Sequence, residues 1–282
     1  MRLSIITDEI TQDFAHALDV CEELGVRTVE LRAVDGSNVV SHDQASLTKI
    51  KAQLEERGFD VRGIASPFLK CHIRGDGAPA GATHGAAPSS REEQWEVLEQ
   101  SFRVADLFGA PLVRTFSYWR APDPESVRDE TLEVLAEATR RTEAAGFILG
   151  LENEHACNIG TGAESAWYLE RIPSPTFGMI WDPGNEAALG STPYPNGYEH
   201  VRGRIAHVHL KDRDASGRWV RMGDGIIDWV GQLRHLAADG YDGPLSLETH
   251  YRTPDGGSEA ASRESLIALR RLCDEAGVTL DG

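Results

Sequence analysis

A short run of β-branched or aliphatic residues, followed by a longer amphipathic segment, recurs eight times along this chain. The longer segments place apolar residues at helical spacing, and most of them end near a glycine. Eight strand–helix units in 282 residues predict a single (β/α)8 TIM barrel that spans residues 1–282. A doubly wound open sheet is the alternative, because this rhythm does not by itself show that the sheet closes. The predicted strands are residues 3–7, 28–32, 61–66, 112–116, 148–152, 177–181, 204–210 and 245–248.

Two stretches interrupt the rhythm. Residues 74–90 are dominated by Gly, Ala, Pro and Ser, so they cannot bury a core and are predicted to be a flexible loop insertion within the domain. They follow the third strand, where a loop is either a lid over the site or an ordinary surface insertion. Residues 187–196, after the sixth strand, are also predicted to be a loop because they contain Pro193 and Pro195.

The charge balance excludes one large class of partners. A net charge of −17 opposes binding along a nucleic-acid backbone, which needs a basic face, and makes divalent cations natural partners. No run of about 18 apolar residues appears, so no membrane span is expected. The first residues lack the apolar stretch of a signal peptide, and the four cysteines are scattered. We therefore expect a cytoplasmic protein with free thiols.

The last four predicted strands all end in side chains that can bind a metal. Because side chains alternate along a strand, His207, His209 and Lys211 share one face of the seventh strand, and the apolar residues between them share the other. The active sites of barrels lie at the carboxyl ends of the strands, so these end residues are expected to converge. They are Glu152 on strand five, Asp182 on strand six, His209 on strand seven and Glu248 on strand eight.

Three converging carboxylates would repel each other strongly if no cation lay between them. A divalent cation removes that conflict, so Glu152, Asp182, His209 and Glu248 are predicted to bind one metal ion. Oxygen ligands with a single nitrogen favour Mn²⁺ or Mg²⁺, with Co²⁺ or Zn²⁺ as alternatives.

Four motifs resemble those of the xylose isomerase-like TIM-barrel superfamily, and within it the sugar phosphate isomerase/epimerase group. They are Leu-Glu152-Asn, Trp-Asp182-Pro-Gly-Asn, His207-Val-His209-Leu-Lys-Asp and Leu-Glu248-Thr-His. The resemblance implies a metal-dependent isomerase or epimerase that acts through a metal-stabilised enediolate. It also implies that Glu152 and Glu248 are both metal ligands and acid–base groups on opposite faces of the substrate.

The chain departs from related ketose 3-epimerases at two positions. It has Asn185 where they carry a histidine and Asn158 where they carry a glutamate, so the usual sugar contacts are in doubt. A dehydratase of the inosose or dehydroshikimate type, or a catalytically silent sugar-binding barrel, is therefore kept as an alternative. The endonuclease IV-type repair enzymes of the superfamily need a trinuclear zinc cluster with several more histidines, and the acidic balance also opposes that assignment.

The expected partner is a small sugar or cyclitol, and a homo-oligomer is compatible with the sequence. Lys70, Lys211 and Arg218 are candidates to hold a phosphate or carboxylate of the substrate, and Lys211 has the best case because it shares a face with His209. Arg114 is a fourth candidate, with a barrel-interior ion pair to Glu30 as its alternative. The complete set of predicted substrate-binding residues is Lys211, Asn185, His155, His207, Lys70 and Arg218.

Overall fold

Eight parallel strands close into a barrel in the computed structural model, which describes residues 1–74 and 90–281. Neighbours in the barrel are also neighbours in sequence, and the first strand closes the ring by pairing with both the second and the eighth. The predicted (β/α)8 barrel is thus confirmed, and the open sheet is excluded. The strands are β1 (Arg2–Ile6), β2 (Thr28–Leu31), β3 (Asp60–Ile64), β4 (Leu112–Thr115), β5 (Ile148–Glu152), β6 (Phe177–Trp181), β7 (Ile205–Leu210) and β8 (Pro244–Leu247).

Helices surround the barrel, and their ends follow local sequence signals. Asp13 and Asp43 accept backbone N–H groups at the starts of the first two helices, and Gly146 and Gly277 end two others in the left-handed conformation. The helices are α1 (Phe14–Glu23), α2 (Gln44–Glu56), α3 (Gln94–Phe108), α4 (Arg128–Ala145), α5 (Gly162–Arg171), α6 (Pro183–Ala188), α7 (Tyr198–Val201), α8 (Trp229–Ala238) and α9 (Ser258–Ala276). Among the described residues, no helix is long and apolar enough to cross a bilayer.

The segment predicted as a loop at 187–196 begins with the last residues of the short helix α6, which ends at Ala188. The turn at Pro193–Gly197 is kinked at Tyr194, whose backbone is extended (φ −131°, ψ 132°). Helix α6 begins where it does because the Asp182 side chain accepts the Asn185 N–H group and Pro183 occupies the first turn. The predicted insertion at 74–90 lies, apart from Arg74 and Ser90, outside the described residues.

Two short hairpins lie beyond the strand ends. Ala33–Val34 pairs with Ser37–Asn38, and Asp212–Arg213 pairs with Trp219–Val220. The second hairpin, residues 212–220, directly follows β7 and therefore overlies the carboxyl end of the barrel. The buried Asp212 carboxylate holds the start of this hairpin in place, because it accepts hydrogen bonds from the N–H groups of Arg213, Gly223 and Gly225 at 2.9–3.1 Å.

Helix α6 also buries a carboxyl group that no cation neutralises among its recorded contacts. Glu186 is 3% exposed, and its Oε2 atom accepts the Gly162 N–H group at 2.8 Å. The backbone of Gly197 lies so close that a Cβ there would collide with the Glu186 carboxylate. Burial raises the pKa of Glu186 from 4.5 to about 7. The folded protein therefore holds this proton at pH values where the unfolded chain has lost it.

Glu186→Gln is expected to stabilise the protein at pH 8 and to change little at pH 4.5. Because the folded-state pKa is raised, the stabilisation from this group is present below about pH 4.5 and is lost as the pH rises through about 7. The variant should gain up to about 3 kcal/mol in free energy of unfolding at pH 8. Urea unfolding at both pH values measures the difference, with the exposed Glu133→Gln as the control. An equal gain at both pH values would refute the ionisation argument.

Candidate metal and sugar site

The end residues of β5 to β8 point into one space at the carboxyl end of the barrel. We call them the carboxylate–histidine cluster, and all four are buried. One ligand atom from each lies within 4.8 Å of the corresponding atoms of the other three. An ion with ligands at roughly 2.0–2.4 Å needs ligand atoms no more than about 4.8 Å apart, so the spacing fits one ion. The members are Glu152, Asp182, His209 and Glu248.

His209 presents one ring nitrogen to this space. Its Nε2 atom lies 3.0 Å from Glu30 Oε2, so an N–H group there donates to the Glu30 carboxylate. Its Nδ1 atom lies 3.5 Å from Glu152 Oε1 and 3.7 Å from Glu248 Oε2, without a hydrogen-bond partner among the described residues. Burial opposes a charge on the ring, yet Glu30 and Glu152 raise the pKa of His209 well above its usual value. The surroundings of Nδ1 therefore favour a cation, whether a proton or a metal ion.

Each glutamate of the cluster has one oxygen held by an arginine. Arg114 Nη1 lies 3.0 Å from Glu152 Oε2, and Arg32 Nη1 lies 2.6 Å from Glu248 Oε1. The second oxygen of each glutamate is the one directed toward His209. The two carboxylates are thus fixed by charge-assisted hydrogen bonds on their outer sides, and their inner oxygens both approach His209 Nδ1.

Lys211 lies within the cluster rather than at its edge. Its fully buried Nζ atom is 2.8 Å from Asp182 Oδ2 and 2.7 Å from Glu248 Oε2. Burial disfavours the charged form, but Asp182 and Glu248 raise the pKa of Lys211, so it is an ammonium ion. Burial raises the pKa of Asp182 to about 6. The ammonium ion supplies positive charge to the carboxylates that a divalent ion would also neutralise.

Asn185 and His155 adjoin the cluster. The Asn185 amide donates to Glu152 Oε1 at 3.2 Å, and its carbonyl oxygen lies 2.9 Å from His155 Nδ1. The half-exposed His155 ring also contacts Glu154 Oε1 at 2.7 Å. Lys70 is buried, with its Nζ atom 3.5 Å from Glu154 Oε2 and 4.2 Å from the Phe116 ring centroid.

Three other predicted positions differ from expectation. His207 is buried and lies two residues before His209 on the same face of β7, which is farther from the carboxyl end of the strand. Its Nε2 atom is 3.0 Å from Glu30 Oε2, so His207 lies in the barrel interior and not at the opening where a substrate would enter. Arg218 is 80% exposed and pairs with Asp214, because it lies in the turn of the 212–220 hairpin that was not predicted. The barrel-interior ion pair given as the alternative for Arg114 is formed with Glu152 and not with Glu30.

Several important neighbours were not singled out as site residues. Arg32 fills its three nitrogen positions with Asp8 at 3.0 Å, Glu9 at 2.6 Å and Glu248 at 2.6 Å. Trp219, on the 212–220 hairpin, has its ring 5.4 Å from that of His250 and 5.5 Å from Lys211 Nζ. The available signals were the alternating Glu30 and Arg32 at the end of the second strand and the Thr7-Asp8-Glu9 opening.

A closed parallel barrel with polar and ionisable side chains gathered at the carboxyl ends of its strands is the architecture of TIM-barrel enzymes. The family model described as "Xylose isomerase-like TIM barrel" matches residues 18–272. The chain belongs to this family, and epimerases and isomerase-like enzymes are among its relatives.

Individual comparisons agree with this assignment. A putative L-ribulose-5-phosphate 3-epimerase of Escherichia coli is 28% identical over 213 residues, which are 72% of this chain and 71% of that protein. The probable 3-DHS dehydratase AsbF of Bacillus anthracis superposes with a TM-score of 0.73 at 16% identity, covering 96% of this chain and 99% of that one. An IolI protein with a bound zinc atom superposes with a TM-score of 0.74 at 17% identity, covering 98% of both chains. The two structural likenesses show the fold.

Proposed function

We propose that this protein is a divalent-metal-dependent isomerase or epimerase of a sugar or sugar phosphate. The observation that carries the proposal is the pair of buried glutamates whose inner oxygens both lie within 3.7 Å of His209 Nδ1. Isomerisation and epimerisation of a ketose both require removal of a proton from the carbon beside a carbonyl group. They also require return of a proton, to the other face or to the neighbouring atom. Two fixed carboxylates on opposite sides of a bound substrate suit this reaction.

The four residues of the carboxylate–histidine cluster would hold the ion. Three carboxylate oxygens and one imidazole nitrogen suit Mn²⁺ or Mg²⁺, with Co²⁺ or Zn²⁺ as alternatives. A bound divalent ion would neutralise negative charge that develops on the substrate oxygens. His209 would use Nδ1, because Nε2 donates its proton to Glu30.

The remaining contacts orient the two glutamates. Arg114 and Arg32 each hold the outer oxygen, so Glu152 Oε1 and Glu248 Oε2 are the atoms that face the space for the ion and the substrate. Asn185 holds Glu152 Oε1 with a neutral amide, whereas Lys211 holds Glu248 Oε2 with an ammonium ion. Trp219 and His155 offer a wall at the mouth on which a sugar can pack.

Two measurements test this function. Elemental analysis of the purified protein should find about one divalent ion per chain, which a silent barrel would not bring. A panel of ketoses and cyclitols in deuterated water should then identify a substrate whose carbon-bound proton exchanges with solvent. Loss of water from that substrate would assign the dehydratase chemistry instead. If no panel member exchanges a proton in the metal-loaded protein, the proposed function is wrong.

Glu30→Gln is expected to weaken divalent-metal binding by about 10–100-fold, because a carboxylate behind a ligand histidine fixes its tautomer and raises its basicity. Glutamine keeps the shape, and its carbonyl oxygen can still accept from the imidazole, but it lacks the negative charge that makes the carboxylate the stronger acceptor. Titration calorimetry with Mn²⁺ measures the change. Ser246→Ala, which removes the weaker hydroxyl donor to Glu30 Oε2 at 2.9 Å, serves as the matched control. Unchanged affinity in Glu30→Gln would show that Glu30 does not act through His209.

A further inference from the structure

The cations beside the proposed site are already neutralised by carboxylates. Lys211 pairs with Asp182 and Glu248, and Arg114 uses its three nitrogen positions on Glu152, Ser66 O and Ala65 O. Arg32 likewise holds carboxylates with all of its nitrogens, and Lys70 lies beside Glu154. An anionic substrate group would therefore have to displace a carboxylate of the protein from its cation.

The groups around the site provide no excess positive charge even when a divalent ion is included. Four buried cations, Arg32, Lys70, Arg114 and Lys211, face seven carboxylates whose side chains are at most 8% exposed. Three of these carboxylates belong to the cluster, and the others are Asp8, Glu9, Glu30 and Glu154. For these groups alone one divalent ion leaves an excess of one negative charge, and the half-exposed Arg252, which pairs with Glu9, offsets it.

The sum does not depend on which group pairs with which. A divalent ion bound to the cluster would draw Asp182 and Glu248 away from Lys211. The positive charge of the ion would then be neutralised by those two carboxylates. Residues 75–89, whose sequence follows β3, contain no lysine or arginine that could add positive charge. The more exposed cations of this face are also engaged: Arg252 pairs with Glu9 at 3.6 Å, and Arg213 donates to Gly217 O at 3.1 Å.

We infer that the substrate is an uncharged polyhydroxylated ketone, a free ketose or a cyclitol ketone, and not a phosphate ester or a carboxylic acid. This inference rests on the proposed function and narrows its substrate class. A phosphate or carboxylate would have to displace a protein carboxylate from its cation in a low-dielectric pocket, whereas hydroxyl groups can both donate to these carboxylates and accept from Asn185 or His155. The ring of Trp219 offers an uncharged surface for the carbon face of the substrate.

Matched pairs of substrates test the inference on the metal-loaded protein. Free ketopentoses and ketohexoses, L-ribulose among them, are compared with their terminal phosphates by solvent-deuterium exchange and turnover. 3-Dehydroshikimate is included as a test substrate that carries a carboxylate. The free sugar should have a kcat/KM about 100-fold or more above its phosphate, since like-charge contacts at a binding site carry penalties of this order. A higher kcat/KM for a phosphate ester or for the acid overturns the inference while leaving the enolising function intact.

A binding measurement decides the inference even if no sugar reacts. Absence of exchange from every arm would refute the proposed function, and calorimetry with inorganic phosphate would then test the charge argument alone. No phosphate binding at millimolar concentration supports the inference. Binding of phosphate that Lys211→Met abolishes overturns it.

One variant should shift the preference in a defined direction. Glu9→Gln removes the carboxylate that holds Arg32 and the half-exposed Arg252. It should raise the ratio of phosphate-ester to free-sugar kcat/KM by about tenfold or more, because one negative charge beside the site is lost. Glu133→Gln removes an equal charge from the exposed face of α4 and should leave the ratio unchanged. Equal ratios in the two variants would contradict the argument.

Discussion

Glu152→Gln and Glu248→Gln are each expected to lower kcat by about 10²–10⁴-fold, the usual contribution of a general acid or base. Glutamine preserves the size of the side chain and one oxygen that can bind a metal, but it cannot take up a proton at neutral pH. Most metal binding should therefore remain. Calorimetry with Mn²⁺ and steady-state kinetics separate the two effects, and Glu133→Gln is the control for a change of charge alone.

The two variants should differ in solvent exchange. Glu152 Oε1 contacts the neutral Asn185 amide and His209, whereas Glu248 Oε2 lies 2.7 Å from the Lys211 ammonium ion. A carboxylate oxygen held by an ammonium ion is the weaker base. Glu248→Gln should thus still exchange the substrate proton without completing the reaction, and Glu152→Gln should not exchange it. If either variant keeps near-wild-type turnover, the substituted glutamate is not an acid–base group and acts only as a metal ligand.

Lys211→Met is expected to destabilise the metal-free protein by about 3–5 kcal/mol, because it leaves buried carboxylates without their cation. Both Asp182 and Glu248 lose a partner within 2.8 Å. Addition of a divalent ion should restore most of the loss, since the ion neutralises the same carboxylates. Metal affinity should rise for the same reason, because the ion no longer competes with an ammonium group.

Urea unfolding with Mn²⁺ and with a chelator measures this effect. Lys49→Met removes an exposed ammonium group from α2 and should change the free energy of unfolding by less than about 0.5 kcal/mol. Destabilisation of Lys211→Met that a divalent ion does not relieve would show that the ammonium ion and the metal do not share the same carboxylates.

Strand periodicity was sufficient to predict the barrel and the convergence of its end residues. Alternation along β7 places His209 inward, and the positions of Glu152, Asp182 and Glu248 at strand ends follow from the lengths of their apolar runs. The structure brings these four side chains together, and their role as metal ligands stays a prediction. The fold, by contrast, is confirmed.

Contacts across the barrel could not be derived in the same way. Alternation tells which residues of a strand face inward, but the partner of an inward side chain depends on tilt and register around the whole ring. For this reason the alternative partner suggested for Arg114 was Glu30, which instead accepts hydrogen bonds from His207, His209 and Ser246. Arg218 was misplaced because the two-residue strands of the 212–220 hairpin are too short to give a periodic signal.

The contacts of β2 with the last strands have a consequence for cooperativity. β1 lies between β2 and β8, and Arg32 and Glu30 reach across it to Glu248 and Ser246. The first four strands alone would carry Glu30 without His207, His209 and Ser246, and Arg32 without Glu248. The last four would carry the carboxylates without Arg32 and Arg114. The buried charges of the site are therefore neutralised only when the first four strands pack against the last four. A ligand that stabilises the site should therefore also stabilise the pairing between β1 and β8.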